Sequence, residues 1–570
     1  MTTDERSLAT WLATRDDAGL AETFALRSVS PSVTWSDFFD AADALLDAAS
    51  VDRALTRLPR PALAALAGGT AEGAREALER LALVDGACEP YSVVAERLAA
   101  VLASTPDALS AGAAPTDPPP ADPAASAAAA ERAFASTGAL ADLLIATQHT
   151  PLSRTGAGPI SAVDRKRLTD AGAIASTEDL DDLVAMAAAA RLLDATDREW
   201  TVSETADDWL QETTIRRWAL VVEGFRAGLR AGLRTPEGGY VSPASWRDRY
   251  PLDPEWPVIS ARTRRLAERW GLVSPEGAEP SWARTLRAGG HADADALAGL
   301  FPAEIDRIYL QADLSAIAPG PLAPALDLRL RGIAVRESRA QASTYRFTAE
   351  SLVAGMTEGE SAESMREFLT ALSLTGIPQP LEYLIASTAA RHGLVRVRTG
   401  AYGDTVVESA ESGVLSSIAV DQALRPLGFI RDGDSLVSRA ARDVVYWSLA
   451  DARYPVVAVG ERGEAAPAVR RRASRPSNGA ESRYSFAPLI ARLRESHATD
   501  SDAAWLGREL EQAVRGRSII DVMVRLPDGT ERSFTLEATG LGGGRLRGRD
   551  RAADIERTLP VSSIVSVRPA

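Results

Sequence analysis

The apolar residues of positions 1–110 recur at helical spacing. Leu8, Trp11 and Leu12 begin the first apolar stripe. Further amphipathic segments cover 33–48, 51–58, 61–67 and 71–84. Short helices joined by tight turns are typical of a small bundle or a winged helix. We therefore predict a helical, winged-helix-like domain over residues 1–110.

Residues 129–240 show a clearer order of elements. Ser176 and Asp179 have the spacing of a capping box at a helix N-terminus. Apolar residues follow at i, i+3, i+4 and i+7, and then come a polar turn and the β-prone Trp200-Thr201-Val202. The order helix, helix and short hairpin predicts a winged-helix domain over 129–240.

A long helix is predicted at the end of this domain, from about residue 207 to residue 234. Arg226, Arg230 and Arg234 recur there every four residues. Residues four apart lie on the same side of a helix, so the three arginines are expected to share one face.

The pattern changes from helix alone to strand and helix beyond residue 300. Residues 241–300 hold several Trp, Pro and Gly residues and are predicted to be an irregular connector. Residues 301–460 alternate short β-prone runs with amphipathic helices, which predicts an α+β domain. Its expected elements are strands at 308–310, 344–347 and 394–397, helices N-capped by Thr348 and Ser361, and a helix over 381–391 that ends at His392 beside Gly393.

The last segment, 483–570, is predicted to be a helix followed by a small β-barrel. Residues 519–525 and 532–537 alternate like the two strands of a hairpin. Gly542-Gly543-Gly544 is interpreted as a turn rather than a phosphate loop, because no strand-to-helix context surrounds it. Arg545, Arg547 and Arg549 alternate after this turn, so one side of a strand should carry all three.

Two stretches are predicted to connect folded parts. Residues 111–128 are rich in Ala and Pro and are expected to form a semi-rigid linker. Residues 461–482 are polar, with an Arg cluster, and are expected to be disordered. The predicted fold class is therefore a multi-domain protein, mainly α, with an α+β domain and a small C-terminal barrel.

Composition excludes several kinds of enzyme. Lys166 is the only lysine among the 63 basic residues, and it lies in Asp164-Arg165-Lys166-Arg167 without a glycine loop before it. A Walker A loop needs a lysine at that point to reach the nucleotide phosphates. We therefore predict that the chain has no ATPase motor of its own.

Metal- and thiol-dependent chemistry is also unsupported. Cys88 is the only cysteine, and the four histidines are scattered without the spacing of a metal site. The paired acids Asp181-Asp182 and Asp207-Asp208 are adjacent in predicted helices, where neighbouring residues do not face each other. We therefore expect no cofactor and no enzymatic activity.

The charge and the ends of the chain indicate the compartment. The N-terminus is charged and lacks the apolar stretch of a signal peptide, and no apolar run approaches the length of a membrane span. A cytoplasmic protein is predicted. Its net charge of −15 argues against a general polycation, so DNA contact would need local basic patches.

Residues 305–455 resemble the N-terminal domain of XPB-type helicases, as found in helicase-associated proteins of high-GC actinobacteria. The matching stretches are 308–314 with 318–320, then 345–352, and then 378–381 leading to 390–393. Residues 200–209 with Arg217-Trp218 also look like these proteins, and the C-terminal barrel at 515–570 is similar to that of WYL-type domains. The resemblance implies a DNA-associated accessory module of repair or transcription machinery, not helicase activity.

The leading functional hypothesis is a non-catalytic, DNA-binding, helicase-associated accessory protein in DNA repair or transcription. It would dock on duplex DNA or a repair intermediate, beside a separate helicase or nuclease chain and without a membrane. The alternative is a protein–protein adaptor that uses the winged-helix and barrel surfaces without direct DNA contact. The predicted DNA-binding residues are Arg165, Lys166, Arg167, Arg226, Arg230, Arg234, Arg545, Arg547 and Arg549. The alternative for each of these three groups is a solvated face whose charge is balanced by neighbouring Asp and Glu.

Overall fold

The computed structural model describes residues 3–69, 74–109, 117–155, 158–174, 176–196, 198–339, 342–400, 403–459, 485–499, 502–526, 529–550, 553 and 555–569. All structural statements below concern these residues. The predicted linker 461–482 and residues 111–116 of the first predicted linker lie outside them.

Helices dominate the described chain. They are α1 (Thr3–Thr14), α2 (Asp17–Leu26), α3 (Phe38–Leu46), α4 (Ala48–Thr56), α5 (Arg60–Leu66), α6 (Ala74–Arg80), α7 (Ser92–Ser104), α8 (Pro123–His149), α9 (Ala162–Asp170), α10 (Thr177–Ala189), α11 (Glu204–Gln211), α12 (Thr214–Gly228), α13 (Trp256–Arg269), α14 (Ser281–Arg287), α15 (Ala294–Ala298), α16 (Pro324–Ile333), α17 (Ala349–Thr357), α18 (Ala362–Leu372), α19 (Gln379–Arg391), α20 (Ser412–Val420), α21 (Arg442–Asp451), α22 (Ala487–Thr499) and α23 (Asp502–Arg515). Short 3-10 helices lie at Pro106–Leu109, Ala231–Leu233, Pro243–Asp248, Gln422–Leu427 and Val561–Ser563.

The strands form four sheets. They are β1 (Leu152–Ser153), β2 (Leu193–Ala195), β3 (Glu199–Val202), β4 (Tyr309–Leu310), β5 (Ser315–Ala318), β6 (Val335–Arg339), β7 (Ser343–Arg346), β8 (Val395–Thr399), β9 (Thr405–Ser409), β10 (Ile430–Asp432), β11 (Ser435–Ser438), β12 (Val456–Ala458), β13 (Ile519–Arg525), β14 (Glu531–Gly542), β15 (Arg545–Asp550), β16 (Ile555–Pro560) and β17 (Ile564–Pro569).

The chain divides into two compact units, each built from separate stretches of sequence. Unit 1 comprises Met1–Pro118, Leu229–Arg264 and Ser477–Ala570, and unit 2 comprises Pro119–Gly228 and Arg265–Pro476. Each predicted domain was one continuous stretch of sequence. The prediction therefore did not include units that are built from separate stretches. Each unit is described by itself below.

The first core of unit 1 joins the two ends of the sequence. Apolar side chains of α1 to α7 pack with Leu489, Ile490 and Leu493 of α22. Arg494 of α22 donates a hydrogen bond from Nη1 to the carbonyl of Ala13, at 2.6 Å. Helix α22 therefore belongs with the N-terminal helices, although residues 483–570 were predicted to be a separate domain.

The C-terminal sheet of unit 1 is open, so the prediction of a closed small barrel is wrong. Its strand order is β16-β15-β14-β13-β17, with β16 and β17 at the two edges, and all its pairs are antiparallel. Leu510 and Ala513 of α23 pack against the apolar face of the sheet. Because this helix covers that face, the sheet forms a core without pairing its edges.

Unit 2 begins with the long helix α8. Asp122 caps it by accepting a hydrogen bond from the amide of Ala125, and Pro123 occupies its first turn. An acidic N-cap followed by proline is a favourable helix start. Residues 123–128, predicted to belong to the Ala/Pro linker, are therefore helical.

The next part of unit 2 has the predicted order of helix, helix and hairpin. Helices α9 and α10 precede the hairpin β2–β3, and β1 completes a sheet of order β1-β3-β2. Ser176 caps α10 by accepting from the amide of Asp179, as predicted. The winged-helix assignments of 1–110 and 129–240 stay predictions.

Residues 241–300 are not the irregular connector that was predicted. Helices α13, α14 and α15 lie there. Trp256 and Trp282 are buried residues of α13 and α14, and the indole of Trp282 donates to the carbonyl of Gly271 at 2.8 Å. The frequent Pro and Gly residues were interpreted as signs of irregular structure. Pro is, however, compatible with the first turn of a helix, and Gly with the turns between helices.

The remainder of unit 2 is α+β, as predicted. An antiparallel sheet of order β4-β5-β7-β6 packs with α16 to α19, and a sheet of order β10-β11-β9-β8-β12 packs with α20 and α21. The predicted caps Thr348 and Ser361 are confirmed, each in a reciprocal capping box. His392 follows the last residue of α19, and Gly393 has a φ of +83°.

Candidate nucleic-acid interface

The first predicted basic group lies in α9, and each of its cations has a carboxylate partner. Arg165 Nη2 lies 2.6 Å from Asp181 Oδ1 on α10. Lys166 Nζ lies 2.8 Å from Asp170 Oδ2, one helical turn further on. The fold therefore neutralises these two cations locally.

Arg167, the third member of this group, is held by a buried acid. Its Nη2 lies 3.0 Å from Oδ1 of Asp164, whose side chain is 8% exposed. Burial raises the pKa of Asp164, but hydrogen bonds from Ser153, Ser161 and Arg167 outweigh burial, so that the pKa is lowered overall. This carboxylate stays ionised at neutral pH and offsets the charge of Arg167.

A winged helix would use α10 for recognition. In this structure Asp179 and Asp182 of α10 pair with arginines of the same unit. Asp182 is 3% exposed and accepts two hydrogen bonds from Arg265, at 2.9 and 3.0 Å. Arg269 lies 2.5 Å from Asp179 and 3.4 Å from Asp182. These ion pairs tie α10 to α13, so the acidic face of α10 serves packing.

Three of the four paired acids considered for catalysis contact polar side chains of unit 2. Asp181 and Asp182 hold the arginines described above. Asp207 Oδ1 accepts a hydrogen bond from Gln148 Nε2 at 2.8 Å, and its neighbour Asp208 is exposed. Within the described ranges no three His, Cys, Asp or Glu side chains are grouped to hold a metal ion.

The second predicted group is divided, because α12 ends at Gly228. The prediction of one helix over 207–234 is wrong, since α11 and α12 are separate and only Arg226 is helical. Arg230 precedes the 3-10 helix at 231–233, and Arg234 follows it. Glycine is a poor helix former, which favours an end at this position. The three arginines therefore share no helix face, and Arg226 belongs to a different unit from the other two.

The third predicted group lies on β15, where exposed and buried residues alternate. Arg545, Arg547 and Arg549 are exposed, and the residues between them are buried. The predicted alternation is confirmed. All three arginines therefore project from the same side of the C-terminal sheet.

Arg549 differs from the other two in its neighbours. It lies opposite Glu537 on β14 and opposite Glu556 on β16. Opposite charges that face each other across strands attract, so Arg549 is flanked by compensating carboxylates.

Arg545 and Arg547 lie opposite uncharged residues. On β14 these are Gly542 and Gly540, and on β16 they are Pro560 and Thr558. A Cβ atom added at Gly540 or Gly542 would have no atom within 4 Å, so the space beside these glycines is open. Two guanidinium groups thus stand on an exposed face next to bare backbone.

The turn before β15 fixes where this pair begins. Gly543 and Gly544 have φ values of +58° and +72°, a conformation that other residues rarely adopt. Arg545 follows directly, and its alternation with Arg547 sets both side chains on the outer face. We call Arg545 and Arg547 the hairpin pair.

A buried polar network joins α8 to the α+β part of unit 2, and no sequence pattern predicted it. Asp142 of α8 is 3% exposed and pairs with Arg331 of α16, at 2.8 Å, and with Arg336 of β6. The hydroxyl of Tyr345 donates to Asp327 at 2.5 Å. These residues are far apart in sequence, so only the folded chain brings them together.

The pKa values in this network show how strongly it is buried. Burial lowers the pKa of Arg336, but the charge of Asp142, the hydrogen bond to it and the charge of Asp327 together outweigh burial and raise the pKa overall. Burial, with the charge of Asp327, raises the pKa of Tyr345. Burial lowers the pKa of Arg217 in α12 to about 10. The charges of Asp142, Arg331 and Arg336 are therefore paired with one another inside the unit.

One family model matches part of this unit. Residues 308–432 match the helicase conserved C-terminal domain. The match covers about a fifth of the chain and falls inside the region whose resemblance to helicase proteins was noted above. The helicase-associated character of the chain is thereby supported, although the matched description concerns a C-terminal domain.

No curated protein matches the chain. No helix among the described residues is long and apolar enough to cross a membrane.

Proposed function

We propose that this chain is a non-catalytic, DNA-binding accessory protein that acts with helicase machinery in DNA repair or transcription. The observation that carries the proposal is the hairpin pair, Arg545 and Arg547, exposed without carboxylates directly opposite in a chain of net charge −15. The planar fork of an arginine donates two parallel hydrogen bonds to a phosphate, which suits such a pair to a nucleic-acid backbone.

The absence of a motor in this proposal rests on the matched region and on Lys166. A phosphate loop follows a strand, precedes a helix and supplies a lysine. Lys166 lies inside α9 and is paired with Asp170. The strand pairs formed within residues 308–432 are antiparallel, unlike the parallel sheet typical of nucleotide-binding α/β folds. A motor would therefore come from another chain.

The test is a salt titration of binding to duplex, forked and single-stranded DNA. Replacing both arginines, Arg545→Ala/Arg547→Ala, should flatten the plot of log affinity against log salt by roughly two units, since each lost phosphate contact removes about 0.9. The loss should be similar for unrelated sequences, because phosphate contacts read no bases.

A matched control removes the same charge elsewhere in unit 1. Arg75→Ala/Arg97→Ala deletes two surface arginines that are already paired, with Glu79 at 2.7 Å and with Asp52 at 2.5 Å. The slope should then stay close to that of the unaltered protein. Equal slopes for both double variants would contradict the assignment to the hairpin pair.

The adaptor function has one observation in its favour. The sheet β4-β5-β7-β6 exposes Tyr309 and Val335 on the face opposite its core, with side chains 44% and 55% accessible. Failure of the protein to bind any of the three DNA forms would favour an adaptor that contacts a partner protein through apolar surface.

A further inference from the structure

The hairpin pair lies near one end of the C-terminal sheet, where fewer strands run side by side. Strand β13 pairs with β14 only from Glu531 to Glu537, and the amide of Ala538 adds one bond, to the carbonyl of Ser518 at 3.0 Å. Residues 540–542 of β14 pair with β15 alone. No described strand therefore lies beyond residues 540–542 on the side away from β15.

Two glycines of β14 lie beside the hairpin pair. Gly540 is opposite Arg547 and Gly542 is opposite Arg545, while Leu541 between them packs against the core of the sheet. Successive residues of a strand point to opposite faces, so both glycines belong to the outer face that carries the two arginines. We call Gly540 and Gly542 the glycine floor.

The described structure does not require glycine at Gly542. A Cβ atom would have open space there, as it would at Gly540. Positive φ values occur at the turn residues Gly543 and Gly544 and at neither residue of the glycine floor. Glycine weakens a strand, and it often marks a bulge or a place where a ligand approaches the backbone closely. A register shift lies between Ala538 and Gly540, whereas Gly542 is regularly paired, so close approach is the use that fits Gly542.

Acidic residues limit the basic surface to two arginines. Arg549, the next outward residue of β15, has Glu537 and Glu556 on either side, and both carboxylates would repel a phosphate. At the other end the turn reverses the chain before Arg545. Residues two apart on a strand are about 6.7 Å apart, a separation that also suits consecutive phosphates of one nucleic-acid strand. The surface therefore offers two phosphate contacts side by side.

Within the five described strands, the outer face of the sheet has no ring on which a base could stack. Phe534 is the only aromatic residue of these strands, and it packs against the core on the other face. The guanidinium groups of Arg532 and Arg557 lie 5.3 and 4.9 Å from its ring centre. Proteins that bind single strands hold the bases by stacking on aromatic side chains. The hairpin pair therefore offers contacts to phosphates and not to bases.

We propose that one phosphodiester strand lies over the glycine floor with two consecutive phosphates on the hairpin pair, and that the site takes this strand whether its bases are paired or unpaired. The proposal deepens the proposed function and rests on it for the choice of nucleic acid as ligand. The glycine floor lets the strand approach the sheet, and Glu537 and Glu556 end the contact after two phosphates.

The first experiment titrates the full chain and Arg545→Ala/Arg547→Ala with duplex and with single-stranded DNA of one length. Loss of two contacts should flatten the salt slope by about 1.8 with the duplex and by about 1.4 with the single strand, because each contact contributes about 0.9 and about 0.7 respectively. A loss confined to one form would overturn the proposal and leave DNA binding by the hairpin pair standing. An unchanged slope with both forms would remove the proposed function and this inference together.

The second experiment fills the glycine floor and keeps both arginines. Valine is favoured in strands and has space at both positions, so Gly540→Val/Gly542→Val should not lower Tm. Its DNA affinity at low salt should fall as far as that of Arg545→Ala/Arg547→Ala. The control Ser533→Val adds the same side chain at an exposed position of β14 and should leave affinity unchanged. Unaltered affinity in the valine double variant, with an effect in the alanine double variant, would overturn the proposal and leave the proposed function standing.

The third experiment removes the carboxylates that flank Arg549. In Glu537→Gln/Glu556→Gln a third phosphate contact becomes available, so the salt slope with duplex DNA should steepen by about 0.9. This variant keeps the glycine floor unchanged, and it decides the outcome if the valine double variant unfolds at a lower temperature. An unchanged slope would overturn the proposed limit of two phosphates.

Discussion

Helix α9 and strand β15 each carry three basic residues within five positions, yet they differ in the charge they leave exposed. In α9, Arg165, Lys166 and Arg167 each have a carboxylate within 3.0 Å. In β15, Arg545 and Arg547 lie opposite glycine, threonine and proline. A basic cluster in a sequence therefore predicts a binding surface only where the fold brings no acids to it.

The geometry of the two elements explains the difference. A helix brings residues three and four apart together, so Asp164 meets Arg167 and Lys166 meets Asp170. A strand separates its own neighbours onto opposite faces and presents each side chain to the adjacent strands. The neighbours of β15 are supplied by β14 and β16, where glycines and a proline lie beside the hairpin pair.

The largest loss of stability is expected where a buried carboxylate that neutralises arginines is removed. Asp142→Ala removes the nearest carboxylate of Arg331 and Arg336 and leaves them Asp327 at 3.7 and 3.9 Å. Breaking a buried pair by removing one partner costs about 3–5 kcal/mol. Denaturant unfolding of the full chain measures it. The control Asp170→Ala breaks the exposed pair with Lys166 and should cost at most about 1 kcal/mol. Equal losses of unfolding free energy in the two variants would mean that the burial of an ion pair does not determine the cost of breaking it.

A smaller loss of stability is expected at Gly232. In Gly232→Ala the new Cβ would meet Pro59 at 2.5 Å, and such overpacking typically costs about 1–3 kcal/mol. Gly413→Ala, in α20 with open space around it, serves as the control and should leave unfolding nearly unchanged or slightly stabilised.

A gain of DNA affinity would test compensation in α9 directly. Asp170→Asn/Asp181→Asn removes the carboxylate partners of Lys166 and Arg165 and leaves both charges uncompensated, while Arg165 keeps its hydrogen bonds to the carbonyls of Ile160 and Thr177. Affinity at low salt should rise by up to about tenfold, with a steeper salt slope, because each new phosphate contact adds about 0.9. Unchanged binding would show that the face of α9 does not reach DNA even when it is uncompensated.

The last prediction is an absence of ATP hydrolysis. Purified protein should hydrolyse no ATP above background, with or without DNA, because Lys166 is paired in a helix and no other lysine exists to hold a triphosphate. A phosphate-release assay measures this. Turnover that copurifies with the protein and is lost in Lys166→Ala would contradict the proposal that the motor lies in another chain.

Local elements were largely predictable from the sequence because short-range interactions determine them. Thr348, Ser361 and Ser176 begin helices as their hydroxyl spacing predicts, and the alternation of β15 follows from its letters. Part of the compensation in α9 was also readable, since Asp164 and Asp170 stand at helical spacing from the cations.

Other errors came from reading continuity where the chain turns. Arg226, Arg230 and Arg234 are evenly spaced, but Gly228 ends α12 between the first and the second. The C-terminal strands suggested a closed barrel, whereas α23 covers the open sheet. In both cases the local pattern allowed two outcomes, and packing against other elements decided between them.

By itself the sequence determined the helix starts, the mixed helix and strand content, the lack of a lysine for a phosphate loop and the acidic net charge. Those properties depend on residue identity or on neighbours a few positions away. Only the tertiary structure decided that Asp142 would neutralise Arg331 and Arg336, and that the amide of Arg60 would bond to the carbonyl of Arg249. Such contacts join residues up to 194 positions apart, so the charge available at a surface emerges only when the whole chain has packed.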